Sequence, residues 1–138
     1  MGTAESLQIV KDGFAAFGRG DLPGLLALMA DDVVWEIPGQ GLPLAGTYRG
    51  REGVASFFHK LGEQTEIVDF QAREFVADGD RVLVVGWERV KVRATGRAVD
   101  LDWVMAFTVR NGKVVAYRQY SDTKAMSDAY ASAASAGG

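Results

Sequence analysis

The most constraining feature of this sequence is the stretch from Asp80 to Asp122, in which three long apolar runs are separated by short turn sequences. Asn111-Gly112 joins the last two runs, and Thr95-Gly96 joins the first two. Asn-Gly is typical of a two-residue hairpin because both central residues of a type I′ turn need positive φ. We therefore predict three consecutive antiparallel strands: Asp80–Arg93, Val99–Arg110 and Lys113–Tyr120.

The residues before this stretch have the periodicity of amphipathic helices. Thr3 is expected to cap the first helix and Asp21 the second. The third spans Arg51–Leu61 and is expected to end at Gly62. The second should bury Leu22, Leu25, Leu26 and Met29 and stop at Asp31-Asp32. The remaining predicted elements are a short strand, Val33–Ile37, a long strand, Thr65–Ala77, and a final helix capped by Ser121 or Asp122 that runs to Tyr130.

Helices early in the chain and hairpin-joined strands late predict an α+β fold, with a curved antiparallel sheet covered on one face by three helices. Residues 1–130 are expected to form a single domain, and residues 131–138, rich in Ala, Ser and Gly, a flexible tail. Pro38–Gly50 is a glycine-rich loop, long for a small domain, and loops of this kind are often functional mouths or lids.

Composition excludes several classes of function. The net charge is −3 and no basic run is present, which argues against nucleic-acid binding. No apolar run approaches the ~20 residues that cross a bilayer. The absence of cysteine and the single histidine, His59, argue against disulfides and a zinc site, and no nucleotide-binding glycine motif is present, so no cofactor or metal is expected. The N-terminus lacks the features of a signal peptide, and a cytoplasmic protein is expected.

Eight segments follow one another along the chain with a characteristic order and spacing: Gly20-Asp21, Ala30–Trp35, Pro38-Gly39, Pro43–Glu52, Ala77–Val82, Ala94–Arg97, Arg110–Val114 and Tyr120–Thr123. Taken together, they resemble the SnoaL-like branch of the nuclear transport factor 2-like (NTF2-like) superfamily, which also contains ketosteroid isomerases. The resemblance covers roughly residues 5–130. It implies a cone-shaped sheet closed by three helices, a deep apolar pocket inside the cone, and commonly a homodimer formed through the outer face of the sheet.

Strand alternation, combined with similarity to ketosteroid isomerase and limonene epoxide hydrolase, assigns side chains to the pocket. The alternative interpretation is that the same aromatic and methionine side chains simply fill the core. On the strand after Asp80, the inward set would be Val84, Gly86, Glu88 and Val90. The other expected ligand-binding residues are Trp35, Ile37, Tyr48, Phe57, Trp103, Met105, Tyr117, Gln119 and Ser121.

The catalytic groups of these two relatives are missing. By the resemblance, the carboxylates of ketosteroid isomerase match Ile37 and Trp103, and its oxyanion-hole tyrosine falls near Gly13 or Phe14. The key aspartate of limonene epoxide hydrolase matches Gln119, which cannot accept a proton at neutral pH. Neither mechanism is expected here.

Two carboxylates remain as candidate catalytic groups. Glu88 would have a raised pKa if it were buried in the pocket, which suits a general base; the alternative is that it faces solvent and pairs with Arg118 or Arg97. Asp122 lies near the position of an acid/base aspartate in SnoaL-like cyclases; the alternative is an N-cap of the final helix. Tyr48 has either a ligand-binding or a packing role, and His59 a partly exposed structural one.

Two functions remain open. The first is a non-catalytic protein that binds a small hydrophobic molecule, which the missing carboxylates favour. The second is a cofactor-independent isomerase, cyclase or hydrolase acting on a polyketide- or terpenoid-like substrate, with Glu88 or Asp122 as base and Tyr117, Gln119 or Tyr48 polarising an oxygen.

Trp87 and Val85 on the outer sheet face lead us to expect a homodimer.

Overall fold

The fold consists of a six-stranded sheet with four helices, described for residues 2–131 by a computed structural model. The three consecutive strands predicted from the turn sequences are confirmed. The elements in chain order are α1 (Thr3–Gly18), α2 (Leu22–Ala27), β1 (Met29–Ile37), β2 (Gly46–Arg49), α3 (Gly50–Gln64), β3 (Thr65–Asp78), β4 (Arg81–Val92), β5 (Ala98–Arg110), β6 (Lys113–Ser121) and α4 (Thr123–Tyr130).

The strand order in the sheet is β2-β1-β6-β5-β4-β3. All neighbouring strands are antiparallel except β1 and β6, which run parallel with Trp35 beside Tyr117. The predicted antiparallel sheet therefore contains one parallel pair. Register shifts place extra residues in β1, β3 and β6, and such bulges bend strands and increase their twist, so the sheet curves around the helices.

The turn chemistry sets the register of the long strands. Asn111 and Gly112 have φ of 51° and 76°, as a type I′ turn requires, and Gly96 has φ of 71°. Pairing between β4 and β5 runs without a shift from Arg81 opposite Thr108 to Lys91 opposite Ala98. Side chains at every second position of β4 consequently share one face, which is the concave, helix-covered face of the sheet.

Three helix boundaries differ from the predictions. Gly2, not Thr3, is the N-cap residue of α1, and the Thr3 hydroxyl accepts a hydrogen bond from the Gly79 amide at 2.9 Å instead. Helix α2 stops at Ala27 because Met29 already pairs with Val114 of β6. Helix α3 continues past Gly62, the predicted stop, to Gln64.

Strand β2 lies inside the predicted loop Pro38–Gly50 and was not predicted. It has only four residues, none of them buried, so it carries no apolar alternation that sequence analysis could detect. It pairs with the outer edge of β1 and places Tyr48 opposite Trp35. The caps at Asp21 and Asp122 are confirmed: each carboxylate accepts the amide hydrogen three residues on.

The main core lies between the concave face and helices α1, α2 and α3. Within residues 2–131, no helix has the length and apolar character needed to span a membrane. The predicted tail, residues 131–138, lies outside the described residues except for Ala131.

Candidate functional site

A cavity of about 130 Å³ lies between the concave face of the sheet and the helices. Its lining is almost entirely apolar, and eight of the lining side chains are aromatic. Such space is unusual in a domain interior, because cores pack at crystal density and leave few voids larger than a water molecule. The aromatic residues of the lining are Phe14, Phe17, Trp35, Phe57, Phe58, Phe70, Phe107 and Tyr117.

Strand β4 has a packed part and a part that lines the cavity. Val82 and Val84 near its start are fully buried and lie outside the lining, whereas Glu88 and Val90 line the cavity. Gly86 lies between them, and a Cβ there would come within 2.3 Å of the Trp103 ring. Glycine at this position therefore lets the indole of β5 lie against β4.

Trp103 of β5 lies against the packed part of β4. It is 1% exposed and stacks on Phe14 and Phe70, with ring centroids 6.1 and 5.1 Å away. Those two phenylalanines line the cavity, whereas Trp103 lies behind them. Trp103, predicted from the sequence to face the pocket, therefore does not line the cavity and instead packs against residues that do.

Trp35 and Tyr117 form the aromatic wall from β1 and β6. Their rings are stacked at 3.7 Å, which follows from their direct register across the parallel pair. Phe57 and Phe58 of α3 also pack against Trp35, with ring centroids 6.1 and 5.6 Å away. The wall is built by three elements that are distant in sequence.

Glu88 is the one ionisable carboxylate among the lining residues within the described range. It is 8% exposed, and its carboxylate has no hydrogen-bond or ion-pair partner among residues 2–131. Burial raises the pKa of Glu88 from 4.5 to about 7, because an apolar environment disfavours the charged form. The alternative in which Glu88 pairs with Arg118 does not apply: Arg118 pairs with Glu36 on the opposite face.

The other polar groups of the lining come from β6. The Tyr117 hydroxyl donates to Gln119 Oε1 at 3.0 Å, and neither side chain forms a hydrogen bond to Glu88. Burial, and secondarily the charge of Glu88, raises the pKa of Tyr117 well above its usual value, so this phenol stays neutral. The indole N–H of Trp35 is also buried without a partner in the described part of the chain.

A second, smaller cavity of about 50 Å³ adjoins the first under α4 and the Pro38–Ala45 loop. Gln119, Ile37, Leu44 and Met126 border both cavities. Ser121 lines only the smaller one. Gln119 thus lies on the boundary between the two spaces.

The structure brings most of the predicted site residues together. Trp35, Ile37, Phe57, Met105, Tyr117, Gln119 and Glu88 all line the main cavity. Tyr48 does not: its hydroxyl donates to the Leu44 carbonyl at 2.8 Å and its ring packs edge-on against Phe57, which matches the packing alternative. His59 is exposed and pairs with Glu63 on α3.

Asp122 is exposed and lies outside both cavities. Its carboxylate accepts a hydrogen bond from the Ala125 amide at 3.0 Å, which is the geometry of a helix N-cap. In this arrangement Asp122 cannot reach a molecule held in the main cavity.

The helices and β3 contribute lining residues that were not assigned to the pocket from the sequence. The apolar periodicity of α1 and α3 identified their buried faces, but it could not separate side chains that meet a void from those that meet other atoms. These residues include Ile9, Phe14, Phe17, Phe58, Leu61 and Phe70. No cluster of three or more potential metal ligands occurs among residues 2–131.

Comparisons with known proteins agree with this architecture. Residues 10–117 match the SnoaL-like domain model, and the chain belongs to the SnoaL-like family. An NTF2-like protein from Burkholderia xenovorans LB400 has 51% identity over 94% of this chain and 98% of its own, with a TM-score of 0.86. The fold is therefore NTF2-like, as predicted.

Two further relatives have lower identity. TerC, whose crystals were grown with polyporic acid, has 30% identity, covers 90% of this chain and 96% of its own, and has a TM-score of 0.81. An uncharacterised protein of Mycobacterium tuberculosis (strain H37Rv) is 26% identical over 124 residues, covering 90% of this chain and 94% of its own.

Proposed function

We propose that this protein binds a small, mainly apolar molecule in the cavity between the concave face of its sheet and its helices. The observation that supports the proposal most strongly is the aromatic-lined void of about 130 Å³, which the protein's own side chains leave unfilled. Ligand pockets in proteins are typically concave, apolar spaces with a few convergent polar groups. TerC, a relative with 30% identity, was co-crystallised with polyporic acid, which is consistent with ligand binding by a protein of this fold.

Calorimetric titration with toluene tests this proposal without knowledge of the natural ligand. We expect one toluene per chain, because a comparable apolar cavity of about 150 Å³ binds benzene. Val90→Phe places a larger side chain in the cavity and is expected to abolish the binding heat. Wild-type protein that takes up no toluene would contradict the proposal. Mass spectrometry of a solvent extract of the purified protein would then identify the natural ligand.

A second function is favoured by one observation, the position of Glu88. A carboxylate in an apolar cavity with a pKa near 7 has the properties of a general base at neutral pH. This supports a cofactor-independent isomerase, cyclase or hydrolase on a polyketide- or terpenoid-like substrate. Solvent deuterium incorporation next to the carbonyl of cyclohexanone, followed by NMR, tests it: exchange above the Glu88→Gln background is expected for a base, and equal rates would reject this function.

We also propose that a second copy of the chain covers the convex face of the sheet. Leu83, Val76 and Tyr120 are large apolar side chains on this face that are 38%, 59% and 50% exposed. Trp87 beside them is flanked by the guanidinium groups of Arg73 and Arg89 at 5.5 and 5.4 Å. A two-fold dimer buries the same patch on both subunits.

Light scattering at micromolar concentration tests the dimer. The wild type should have twice the mass of the 14.8 kDa chain, and Leu83→Arg should reduce it to the monomer mass. A monomeric wild type would contradict this assembly. Location in the cytoplasm remains part of the proposal and is tested by cell fractionation.

A further inference from the structure

We infer that the cavity selects a neutral, single-ring aromatic molecule that carries a hydroxyl group, held by a hydrogen bond from that hydroxyl to Glu88. This inference rests on the proposed ligand-binding function and specifies the chemical class of the ligand. It follows from the size of the cavity, the charges of its lining and the polar groups left unpaired within it.

The size of the cavity limits the ligand to about one ring. Its volume of about 130 Å³ is slightly smaller than the cavity of about 150 Å³ that accommodates benzene in a well-studied case. Multi-ring molecules would require the helices to move away from the sheet. Aromatic side chains from α1, α3, β1, β3, β5 and β6 surround the space, and they favour stacked or edge-on contacts with another aromatic ring.

The charges of the lining exclude an acidic ligand. No lysine, arginine or histidine lines the cavity among the described residues, whereas Glu88 does. A ligand carboxylate would be buried beside Glu88 without a compensating cation, and burial of an unpaired charge is strongly unfavourable. The ligand is therefore not a fatty acid or an aromatic acid.

The unpaired polar groups of the lining indicate which hydrogen-bonding groups the ligand carries. The Glu88 carboxylate has no partner among residues 2–131, and a buried polar group without a hydrogen bond costs free energy that a bound donor recovers. A neutral O–H loses less hydration on burial than an ammonium group does. The amide NH₂ of Gln119 has no acceptor within the same range, because only its Oε1 is used, by Tyr117. It provides a donor for a second polar substituent.

Calorimetric titration with four single-ring aromatic probes tests this inference: p-cresol, toluene, 4-methylbenzylamine and p-toluate. We expect p-cresol to bind roughly tenfold more tightly than toluene, a factor that corresponds to about 1.4 kcal/mol. The anion should not bind, and the amine should bind more weakly than p-cresol. Tighter binding of the amine or of p-toluate would overturn the inference.

Two variants test whether the preference for p-cresol over toluene depends on Glu88. Glu88→Met removes the acceptor while preserving a long, apolar side chain, so p-cresol and toluene should bind equally well. Glu66→Met is the matched control: Glu66 is an exposed strand residue on β3, and the preference for p-cresol should persist. If wild-type protein binds both probes equally, the inference fails while the proposed function stands. If it binds neither probe, the inference and the proposed function both fail.

Discussion

The two parts of strand β4 present the same face of the sheet to very different surroundings. Val82 and Val84 are in contact with close-packed side chains, and Gly86 accommodates the ring of Trp103. Two residues further on, Glu88 and Val90 line an open cavity. One alternating strand thus contributes both to the close-packed core of this domain and to a wall of its cavity. The predictions below test that division.

The largest expected effect is the loss of Trp103 from the packed part. Trp103→Ala should lower the free energy of unfolding by about 3–5 kcal/mol, because it removes a fully buried ring that packs against two phenylalanines and leaves a new void. Equilibrium denaturation with urea measures the change. Trp35→Ala is the comparison: one side of Trp35 already borders the cavity, so fewer contacts are lost and the change should be smaller. Equal losses would contradict the division.

The second prediction concerns pH and the part of β4 that lines the cavity. The pKa of Glu88 is about 7 in the folded protein and 4.5 without burial, so the folded state binds more protons between these values. The free energy of unfolding should therefore fall as pH rises from 4.5 to about 7, by up to about 3 kcal/mol in total. Glu88→Gln stays neutral and should lose this dependence, which makes it more stable than the wild type at pH 8 and similar at pH 4.

Urea denaturation across this pH range measures the difference between wild type and variant. Glu66→Gln, at an exposed position of β3, is the control and should leave the pH profile unchanged. A constant difference between Glu88→Gln and the wild type at every pH would show that Glu88 is solvated in the folded protein.

The third prediction compares one substitution at two positions. Val84→Phe forces extra volume into close-packed surroundings and should cost about 1–3 kcal/mol. Val90→Phe, six residues further along the same face, has the cavity available and should cost less. Thermal unfolding of the two variants gives the order directly. If Val90→Phe is the more destabilising of the two, the space beside Val90 is already filled.

The smallest expected effect is on stability, and it comes from Asp122, the second candidate carboxylate beside Glu88. Asp122→Ala removes the N-cap of α4 and should lower stability by about 1 kcal/mol. Since Asp122 lies outside both cavities, toluene affinity should not change. Asp122→Asn retains a capping oxygen and should restore most of the lost stability. A large loss of toluene affinity in either variant would place Asp122 in the site.

Much of the fold could be predicted from the sequence, because turn residues and apolar periodicity are local features that determine where strands and helices form. Asn111-Gly112 predicts the hairpin between β5 and β6, and strand alternation predicts that Tyr117 and Gln119 share a face, although a bulge shifts the register between the turn and these residues. The inward orientation of Glu88 followed from the same alternation. Strand β2 was missed because its four residues are stabilised by pairing with β1 rather than by burial of apolar side chains.

The site was only partly predictable, because alternation identifies a face and not a void. Trp35 and Trp103 carry the same signal in the sequence, yet one lines the cavity and the other lies behind Phe14 and Phe70. The difference depends on which helices pack against the sheet at each point, α3 at Trp35 and α1 at Trp103, which is a property of tertiary packing. For the same reason, the two functions proposed for Asp122 could be separated only by its hydrogen bond to Ala125.

The most direct test of the account is a crystal structure determined under xenon pressure, because xenon enters apolar cavities of this size. The account predicts an anomalous xenon peak in the space between Trp35, Val90 and Tyr117, and none beside Trp103 and Val84. A structure in which side chains fill the first space, with no xenon bound there, would contradict the claim that this domain encloses a binding cavity.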